Sequence, residues 1–273
     1  MSKIPVSVLV PIKNEERNLQ LSLPLLSDFD EVILLDSQST DASLKLAEQY
    51  GARVEQFYWN GQFPKKRNWA LRNLELRHEW VLFLDADEYV TPEFLSELRE
   101  AINRPGYVGY WIPFRNHFMG QQLKHGDVFK KLPLFKKSAG EYERIAEDSW
   151  SHLDMEVHEH PILEGQVGTF KAHIDHNDYK GLEHYIAKHN SYSSWEARRF
   201  IKLQETGFAG LNSRQRLKYQ LIGWGIMPMA YFIGNYFLKL GFLDGRAGYY
   251  FSKYKAQYFF QIQTKIKEYL ASR

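Results

Sequence analysis

Three carboxylates follow a short apolar segment in the first third of the chain. Residues 81–84 read Val-Leu-Phe-Leu, and Asp85, Asp87 and Glu88 come directly after them. The length and composition of the apolar segment are typical of a buried strand. Carboxylate oxygens at this spacing suit a hard divalent cation, Mg2+ or Mn2+. A second interpretation places the acids as the cap of a helix that begins near Thr91.

Strands and helices alternate along the chain before these acids. Strands are predicted over residues 6–10, 31–35 and 52–57, with Pro11 closing the first of them. Helices are predicted after Asn14, over residues 42–50, after Pro64 and over residues 92–103. Because parallel strands need crossover connections, this alternation predicts an α/β fold with a mainly parallel sheet flanked by helices. Ligands bind outside the carboxyl ends of such strands, where the acids lie.

The same edge of the sheet carries groups that could bind a nucleotide. Asp36 follows the second strand and could accept hydrogen bonds from a base or ribose, while Lys65, Lys66 and Arg67 could contact phosphates. A metal at Asp87 would then bridge a diphosphate. Alternatively, Asp36 forms a turn and the basic residues form a solvated helix face. No glycine-rich phosphate loop is present, which argues against a dinucleotide enzyme or a P-loop NTPase.

Four segments resemble family 2 glycosyltransferases of the Rossmann-type GT-A fold, in the order and spacing of that family. They are residues 10–16, 35–41, 64–71 and 85–88. The resemblance implies a nucleotide-sugar donor, usually UDP-linked, with Asp36 near the base, Asp85 near the ribose and Asp87 on the metal. It also implies an inverting displacement at the anomeric carbon. The other residues expected at the donor are Pro11, Glu15, Lys66, Arg67, Asn68 and Ala86.

One departure from the family concerns the turn after the second strand. Many members have two acids where this chain has Asp36 and Ser37. We therefore expect a weaker or different contact with the base.

A general base for the acceptor hydroxyl is expected later in the chain. Residues 157–159 read Val-His-Glu and are similar to a motif of the bacterial lipopolysaccharide-core and surface-polysaccharide branch of the family. The resemblance suggests Glu159 as the base, with Glu156 as its rival, and His176 as a further contact to metal or diphosphate. A competing interpretation is a zinc site with nitrogen ligands from His158, His160, His173 and His176. A simpler alternative is that these histidines lie on the surface or form hydrogen bonds and that Glu159 is solvated.

The carboxyl-terminal segment is basic and aromatic. Residues 198–273 contain 13 Lys or Arg and three acids, and residues 221–238 contain no charged residue. Three interpretations stay open: a helical hairpin in the membrane surface, helices packed on the catalytic domain or a dimer partner, and a membrane span. A turn is predicted over residues 244–248 and a helix over residues 249–269. The first interpretation predicts binding to an anionic membrane surface.

The chain is accordingly divided into three parts, residues 1–110 for the donor, 111–200 for the acceptor and 201–273 as a helical extension. The absence of cysteine and of a secretory signal fits a cytoplasmic enzyme attached peripherally to the inner face of the membrane. The predicted acceptor is a lipid-linked saccharide or lipopolysaccharide core, and no nucleic acid partner is expected. The alternatives are a nucleotidyltransferase and a non-catalytic nucleotide-binding scaffold.

Overall fold

The chain forms two units in the computed structural model, which describes residues 2–127, 129–145, 151, 160–209 and 211–272. The first unit comprises Met1–Asn116 and Phe129–Tyr179, and the second comprises His117–Val128 and Lys180–Arg273. The predicted division into three functional parts stays a prediction.

A mixed sheet dominates the first unit. Its strands run in the order β3-β2-β1-β4-β8-β6-β12-β5, and β1 to β4 are mutually parallel. The strands of the described residues are β1 (Ile4–Ile12), β2 (Phe29–Asp36), β3 (Arg53–Gln56), β4 (Trp80–Phe83), β5 (Glu88–Tyr89), β6 (Tyr107–Phe118), β7 (Gln121–Gln122), β8 (Phe129–Lys136), β9 (Gly140–Tyr142), β10 (Pro161–Leu163), β11 (Gln166–Thr169) and β12 (Ile174–His176). Strands β7 and β11 also pair with β6, whereas β9 and β10 form a separate two-stranded sheet.

Helices cover the sheet and make up most of the second unit. The first unit contains α1 (Glu16–Leu25), α2 (Ser43–Gln49), α3 (Lys66–Asn73) and α4 (Pro92–Ala101). The second contains α5 (Gly181–Thr206), α6 (Ser213–Gly223), α7 (Met227–Phe232) and α8 (Gly245–Ala271). A π-helical turn at Ile233–Leu238 and a 3-10 turn at Gly241–Asp244 join α7 to α8.

Both faces of the parallel strands are buried. In β1, Val8 and Val10 pack in the core that contains Phe94 of α4, whereas Leu9 packs in the core that contains Leu71 of α3. A strand covered by helices on both sides is apolar at most positions, which explains the nearly continuous apolar segments in the sequence. The predicted α/β class, with a mainly parallel sheet flanked by helices, is confirmed.

The first strand extends past the proline that was expected to close it. β1 continues through Pro11 to Ile12, where it still pairs with β2. The carbonyl of Leu9 accepts a hydrogen bond from the N–H of Leu84 (3.1 Å), so alternate residues of β1, Pro11 among them, turn their backbone groups toward β4. Because β4 ends at Phe83, the N–H that proline lacks has no strand to pair with there.

The loops after β1 and β2 are tied to each other. The predicted cap, Asn14, does not cap α1; its side-chain oxygen instead accepts from the N–H of Thr40 (2.8 Å). Asp41 supplies the missing acceptor, because its carboxylate accepts from the N–H of Glu16 (3.0 Å) at the start of α1. Burial alone would raise the pKa of Asp41, but hydrogen bonds from Ser43 and from backbone N–H groups hold that pKa below its usual value. We call residues 13–16 and 37–43 the paired loops.

The uncharged segment over residues 221–238 is broken into three pieces in the second unit. It contributes to α6, α7 and the π-helical turn, and no helix among the described residues is long and apolar enough to cross a membrane. The predicted turn over residues 244–248 is wrong, because α8 begins at Gly245. Gly248 serves close packing instead, since a Cβ there would lie 2.0 Å from the carbonyl oxygen of Gly241.

Candidate functional site

Four charged side chains meet at the tip of β4. Asp85 Oδ1 lies 2.8 Å from the guanidinium of Arg67, and its Oδ2 lies 2.9 Å from Lys131 Nζ. Lys131 also forms an ion pair with Glu88, whose carboxylate accepts from the N–H of Asp85 (2.9 Å). Lys131 was not expected from the sequence, and it reaches the site because β8 runs antiparallel to β4. Asp85 is therefore held in a fixed orientation by two cations.

The protonation states follow from this arrangement. Burial alone would raise the pKa of Asp85, but the charges of Lys131 and Arg67 hold it well below its usual range. Burial raises the pKa of Glu88, and the carboxylates of Asp85 and Asp87 add to the rise against the opposing charge of Lys131. Burial would lower the pKa of Lys131, but Asp85 and Glu88 raise it above its usual value. Asp85 and Lys131 are both charged at neutral pH.

The second aspartate of the cluster faces a histidine. His176 Nε2 lies 3.5 Å from Asp87 Oδ2, and its Nδ1 lies 3.0 Å from the side-chain oxygen of Asn116. Because an amide oxygen only accepts hydrogen bonds, Nδ1 is the nitrogen that donates to Asn116, and Nε2 is the nitrogen directed toward Asp87. A carboxylate oxygen and an imidazole nitrogen are thereby brought side by side, and their predicted role as metal ligands stays a prediction.

Two short strand pairings bring these residues together. In β12, His176 pairs with Glu88 of β5 on one side and with Asn116 of β6 on the other. The chain therefore folds back after the acids, and register alone sets His176 beside them. Helix α4 begins later and is capped by Thr91, whose hydroxyl accepts from the N–H of Phe94 (3.2 Å). The interpretation of the acids as a helix cap is therefore wrong.

Asp36 is fully buried at the carboxyl end of β2. Its carboxylate accepts from the N–H of Ser39 (3.1 Å) and from the side-chain amide of Gln56 (2.9 Å). Asp36 thus shapes the turn after β2, as one interpretation of the sequence expected. Its predicted contact with a nucleotide base stays a prediction.

The basic residues at the start of α3 do not form a solvated face. Lys65 and Lys66 are only 4% and 2% exposed, and Lys66 Nζ lies 3.4 Å from the carbonyl oxygen of Ile12 at the end of β1. Asn68, by contrast, exchanges two hydrogen bonds of 2.9 Å with the backbone of Tyr142. Lys66 therefore lies at the carboxyl edge of the sheet, whereas the amide of Asn68 fastens α3 to β9.

Three further residues expected at the donor lie in the first unit. Pro11 is buried within β1, and the methyl group of Ala86 packs into the core. Glu15 precedes α1, and its carboxylate accepts from the side-chain amide of Asn18 (2.8 Å). Their contacts with a donor stay predictions; for Ala86, the buried methyl leaves only the backbone to make one.

The predicted general base cannot be placed. Glu159, its rival Glu156 and His158 lie outside the described residues. Among the residues that the structure does describe, no group of three or more His, Cys, Asp or Glu side chains is arranged to hold a metal ion. Within that part of the chain, Asp87 and His176 are two neighbouring side chains, fewer than such a group requires.

Comparison with known proteins identifies the family. Residues 7–152 match the model of glycosyl transferase family 2. The chain belongs to this family and is a glycosyltransferase. A lipopolysaccharide core biosynthesis glycosyltransferase of Rhizobium meliloti, LpsC, is 27% identical over 275 residues, covering 97% of this chain and 92% of its own. An uncharacterized glycosyltransferase of Rickettsia typhi is 26% identical, covering 85% of this chain and 78% of its own.

A solved structure also matches over most of the chain. TarS 1-349 of S. aureus covers 99% of this chain and 92% of its own, with 18% identity and a TM-score of 0.44.

Proposed function

We propose that the protein is a metal-dependent, inverting glycosyltransferase that moves a sugar from a nucleotide donor, UDP-linked, to a lipid-linked saccharide or lipopolysaccharide core. The observation that carries the proposal is the convergence of Asp87 Oδ2 and His176 Nε2, 3.5 Å apart, at the tip of β4. Membership in the family favours glycosyl transfer over the nucleotidyltransferase and scaffold alternatives.

The residues present fit Mg2+ or Mn2+. A carboxylate and a neutral imidazole are ligands that Mn2+ accepts, and Mg2+ is usually bound through one or two carboxylates together with substrate phosphates and water. Asp87 and His176 would hold the ion, and Asn116 would keep the imidazole in its binding tautomer. A bound cation would neutralise charge on the leaving diphosphate.

The chain's own residues orient the donor and move the proton. Asp85, ionised and held by Arg67 and Lys131, presents a fixed acceptor for ribose hydroxyl groups. In the transfer, Glu159 takes the proton from the acceptor hydroxyl, and that oxygen attacks the anomeric carbon on the face opposite the diphosphate. The bond from the anomeric carbon to the diphosphate oxygen breaks, and the nucleoside diphosphate leaves. The transferred sugar is then linked to the acceptor with inverted configuration at its anomeric carbon.

The acceptor class is supported by the lipopolysaccharide core enzyme of Rhizobium meliloti, which is similar over nearly the whole chain. A lipid-linked acceptor places the reaction at a membrane. We include in the proposal that the carboxyl-terminal helices attach the enzyme peripherally to the anionic inner face of the cell membrane, in the cytoplasm.

Calorimetry with UDP in the presence and absence of Mn2+ tests the metal site. The wild-type chain should bind UDP more tightly with Mn2+, and Asp87→Asn should remove the dependence on the metal because a neutral amide is a poor ligand. Glu48→Gln, which removes an exposed carboxylate from α2, is the matched control and should behave as wild type. Mn2+-dependent binding that survives in Asp87→Asn would show that the metal site is misassigned.

The rate of sugar transfer tests the general base. Glu159→Gln should retain UDP binding with Mn2+ and lose transfer roughly 100-fold or more, the usual contribution of general base catalysis. If Glu156→Gln has this effect and Glu159→Gln does not, the base is Glu156.

A further inference from the structure

Exposed apolar side chains are concentrated on one turn of the second unit. Phe237, Leu238, Leu240, Phe242 and Leu243 are 53%, 78%, 46%, 43% and 55% exposed. Single exposed apolar residues are common on protein surfaces, but five within seven consecutive positions form a patch that indicates an interaction site. We call residues 237–243 the apolar turn.

Aromatic contacts show that the patch is continuous. The ring of Tyr236 lies 5.1 Å from Phe237, 6.2 Å from Phe242 and 5.8 Å from Tyr249, measured between centroids. Tyr249 in turn lies 5.5 Å from Tyr250, which is 41% exposed on α8. The apolar turn and the first turns of α8 therefore present one surface.

The apolar turn is fastened to the rest of its unit by polar contacts. The buried carboxylate of Asp244 accepts hydrogen bonds from the N–H of Lys124 (3.1 Å), the N–H of His125 (2.8 Å) and the ring Nδ1 of His125 (3.0 Å). On the other side, the N–H of Gly126 donates to the carbonyl of Lys239 (2.9 Å). These hydrogen bonds fix the backbone that carries the exposed apolar side chains.

Close packing beneath the turn adds to this support. A Cβ at Gly241 would lie 2.7 Å from the carbonyl oxygen of Asn235, and the backbone of Gly248 packs against Gly241 in turn. Leu240 has a φ of 60°, in the left-handed region where glycine or asparagine is less strained. The chain therefore carries an exposed leucine at a position where a small or polar residue would fit the backbone better.

The segment that carries the patch is basic in sequence, although Lys239 of the apolar turn pairs with Asp127, 3.7 Å away. Between Glu205 and Glu268 the sequence contains one acid, Asp244, and that residue is buried. The same interval contains nine basic residues, namely Arg214, Arg216, Lys218, Lys239, Arg246, Lys253, Lys255, Lys265 and Lys267. Arg246 and Lys253 are exposed on the first turns of α8, next to the aromatic cluster. An apolar patch with a basic rim is complementary to a surface of anionic headgroups over acyl chains.

We propose that the apolar turn is the membrane-insertion element of this protein, with Leu238 and Leu243 entering the acyl boundary of a bilayer that contains anionic lipid. Phe242 and Tyr250 lie at headgroup level, where aromatic rings concentrate, and Arg246 contacts the headgroups. A second copy of the chain fits this surface less well, because two basic rims would face each other. The inference deepens the membrane attachment in the proposed function and rests on it.

Flotation of the full chain with lipid vesicles tests the insertion. Wild-type protein should float with vesicles of phosphatidylcholine and phosphatidylglycerol, and binding should weaken about tenfold for each of Leu238→Gln and Leu243→Gln, as expected for withdrawing a leucine from lipid. The matched control is Leu21→Gln with Leu270→Gln, two leucines that are 46% and 48% exposed elsewhere. Equal vesicle binding by the double variant Leu238→Gln, Leu243→Gln and by the control double variant Leu21→Gln, Leu270→Gln would overturn the proposal.

Charge and self-association give two further readouts. Arg246→Gln and Lys253→Gln should each weaken binding to the anionic vesicles about fivefold, with little effect on vesicles of phosphatidylcholine alone. Sedimentation of the protein without lipid should show the same mass for wild type and for the Leu238→Gln, Leu243→Gln variant. A wild-type dimer that this variant dissociates, without flotation of either, would assign the patch to a second copy and refute the lipid assignment.

Donor binding is measured separately from membrane binding. UDP binding with Mn2+ is recorded in solution without vesicles and should be unchanged in the Leu238→Gln, Leu243→Gln variant. Loss of flotation with intact UDP binding is the expected result for that variant. A wild-type chain that floats but binds no UDP would refute the nucleotide donor and leave the insertion element standing.

Discussion

Neutralising Lys131 should destabilise the fold in a way that depends on pH. Its ammonium group lies 2.9 Å from Asp85 and pairs also with Glu88, so Lys131→Gln leaves Asp85 paired with Arg67 alone and removes the cation from Glu88. Removing one partner of a buried ion pair costs about 3–5 kcal/mol. Because Lys131 and Asp85 are 33% and 29% exposed, we reduce this for solvent screening to about 2 kcal/mol.

Calorimetric melting at neutral pH measures the effect. A loss of about 2 kcal/mol corresponds to a fall in Tm of roughly 4–8 °C for a chain of this size. Lys130→Gln is the matched control, because Lys130 is the adjacent, exposed residue of β8, and its stability should change by no more than about 0.5 kcal/mol.

The sign of the pH dependence follows from the two pKa shifts. The lowered pKa of Asp85 stabilises the wild type above about pH 4, the unfolded value, and this contribution is lost as the pH falls. The raised pKa of Glu88 acts oppositely, favouring the folded state when that carboxyl is protonated, and the variant should raise it further. The difference in Tm between wild type and Lys131→Gln should therefore begin to shrink as Glu88 is protonated in the variant, above its usual pKa, and shrink further below about pH 4 as the contribution of Asp85 is lost. Equal melting of Lys131→Gln and Lys130→Gln, or a gap that does not vary with pH, would refute the reasoning.

Two further substitutions test the elements around the site and beneath the apolar turn. Thr91→Ala removes the cap that accepts from Phe94 and should lower the free energy of unfolding by about 1 kcal/mol, whereas Thr91→Ser should restore it; denaturant titration measures both, and an unaffected Thr91→Ala would contradict the capping role. Gly248→Ala forces a methyl group against a backbone carbonyl and should cost about 2 kcal/mol or more, while Gly234→Ala, which meets nothing within 4 Å, should be nearly neutral. Thermal melting compares the two alanine variants, and equal Tm values would count against the close packing.

Local pattern was enough to predict the parallel part of the sheet. Residues 81–84 form a buried strand because helices cover both faces, and Asp85 and Asp87 follow at its carboxyl end as expected. Periodicity and turn residues are local signals, and in this half of the chain strands and helices follow one another in sequence. Residues that directly follow these parallel strands could therefore be predicted to lie along the carboxyl edge of the sheet.

The rest of the site depends on contacts between distant segments. Lys131 lies 46 residues from Asp85, and its place is set by an antiparallel pairing that no local pattern encodes. A lysine directly before the buried stretch of β8 was the available signal. His176 was expected from family resemblance, but its partner Asn116 was not, because β6 and β12 meet only in the folded sheet.

Local interpretation failed where a residue serves a distant neighbour. Asn14 has the composition of a helix cap, yet its side chain accepts from Thr40, and Asp41 takes over the cap from the other loop. Gly245 and Gly248 resemble a turn, yet they lie within α8, where Gly248 permits close packing against Gly241. Asn14 therefore serves a contact with the other loop, and the absence of a side chain at Gly248 permits a contact with a neighbouring element.

The paired loops also constrain how such a protein can be altered. The cap of α1 is supplied by Asp41 on the second loop, and Asn14 of the first loop holds the backbone at Thr40. Replacing either loop with one that lacks its acceptor, Asn14 or Asp41, would leave a backbone N–H of the other loop unpaired. Residues 13–16 and 37–43 should therefore be transplanted together, and substitutions at the contacts of one loop should be tolerated only with matching changes in the other.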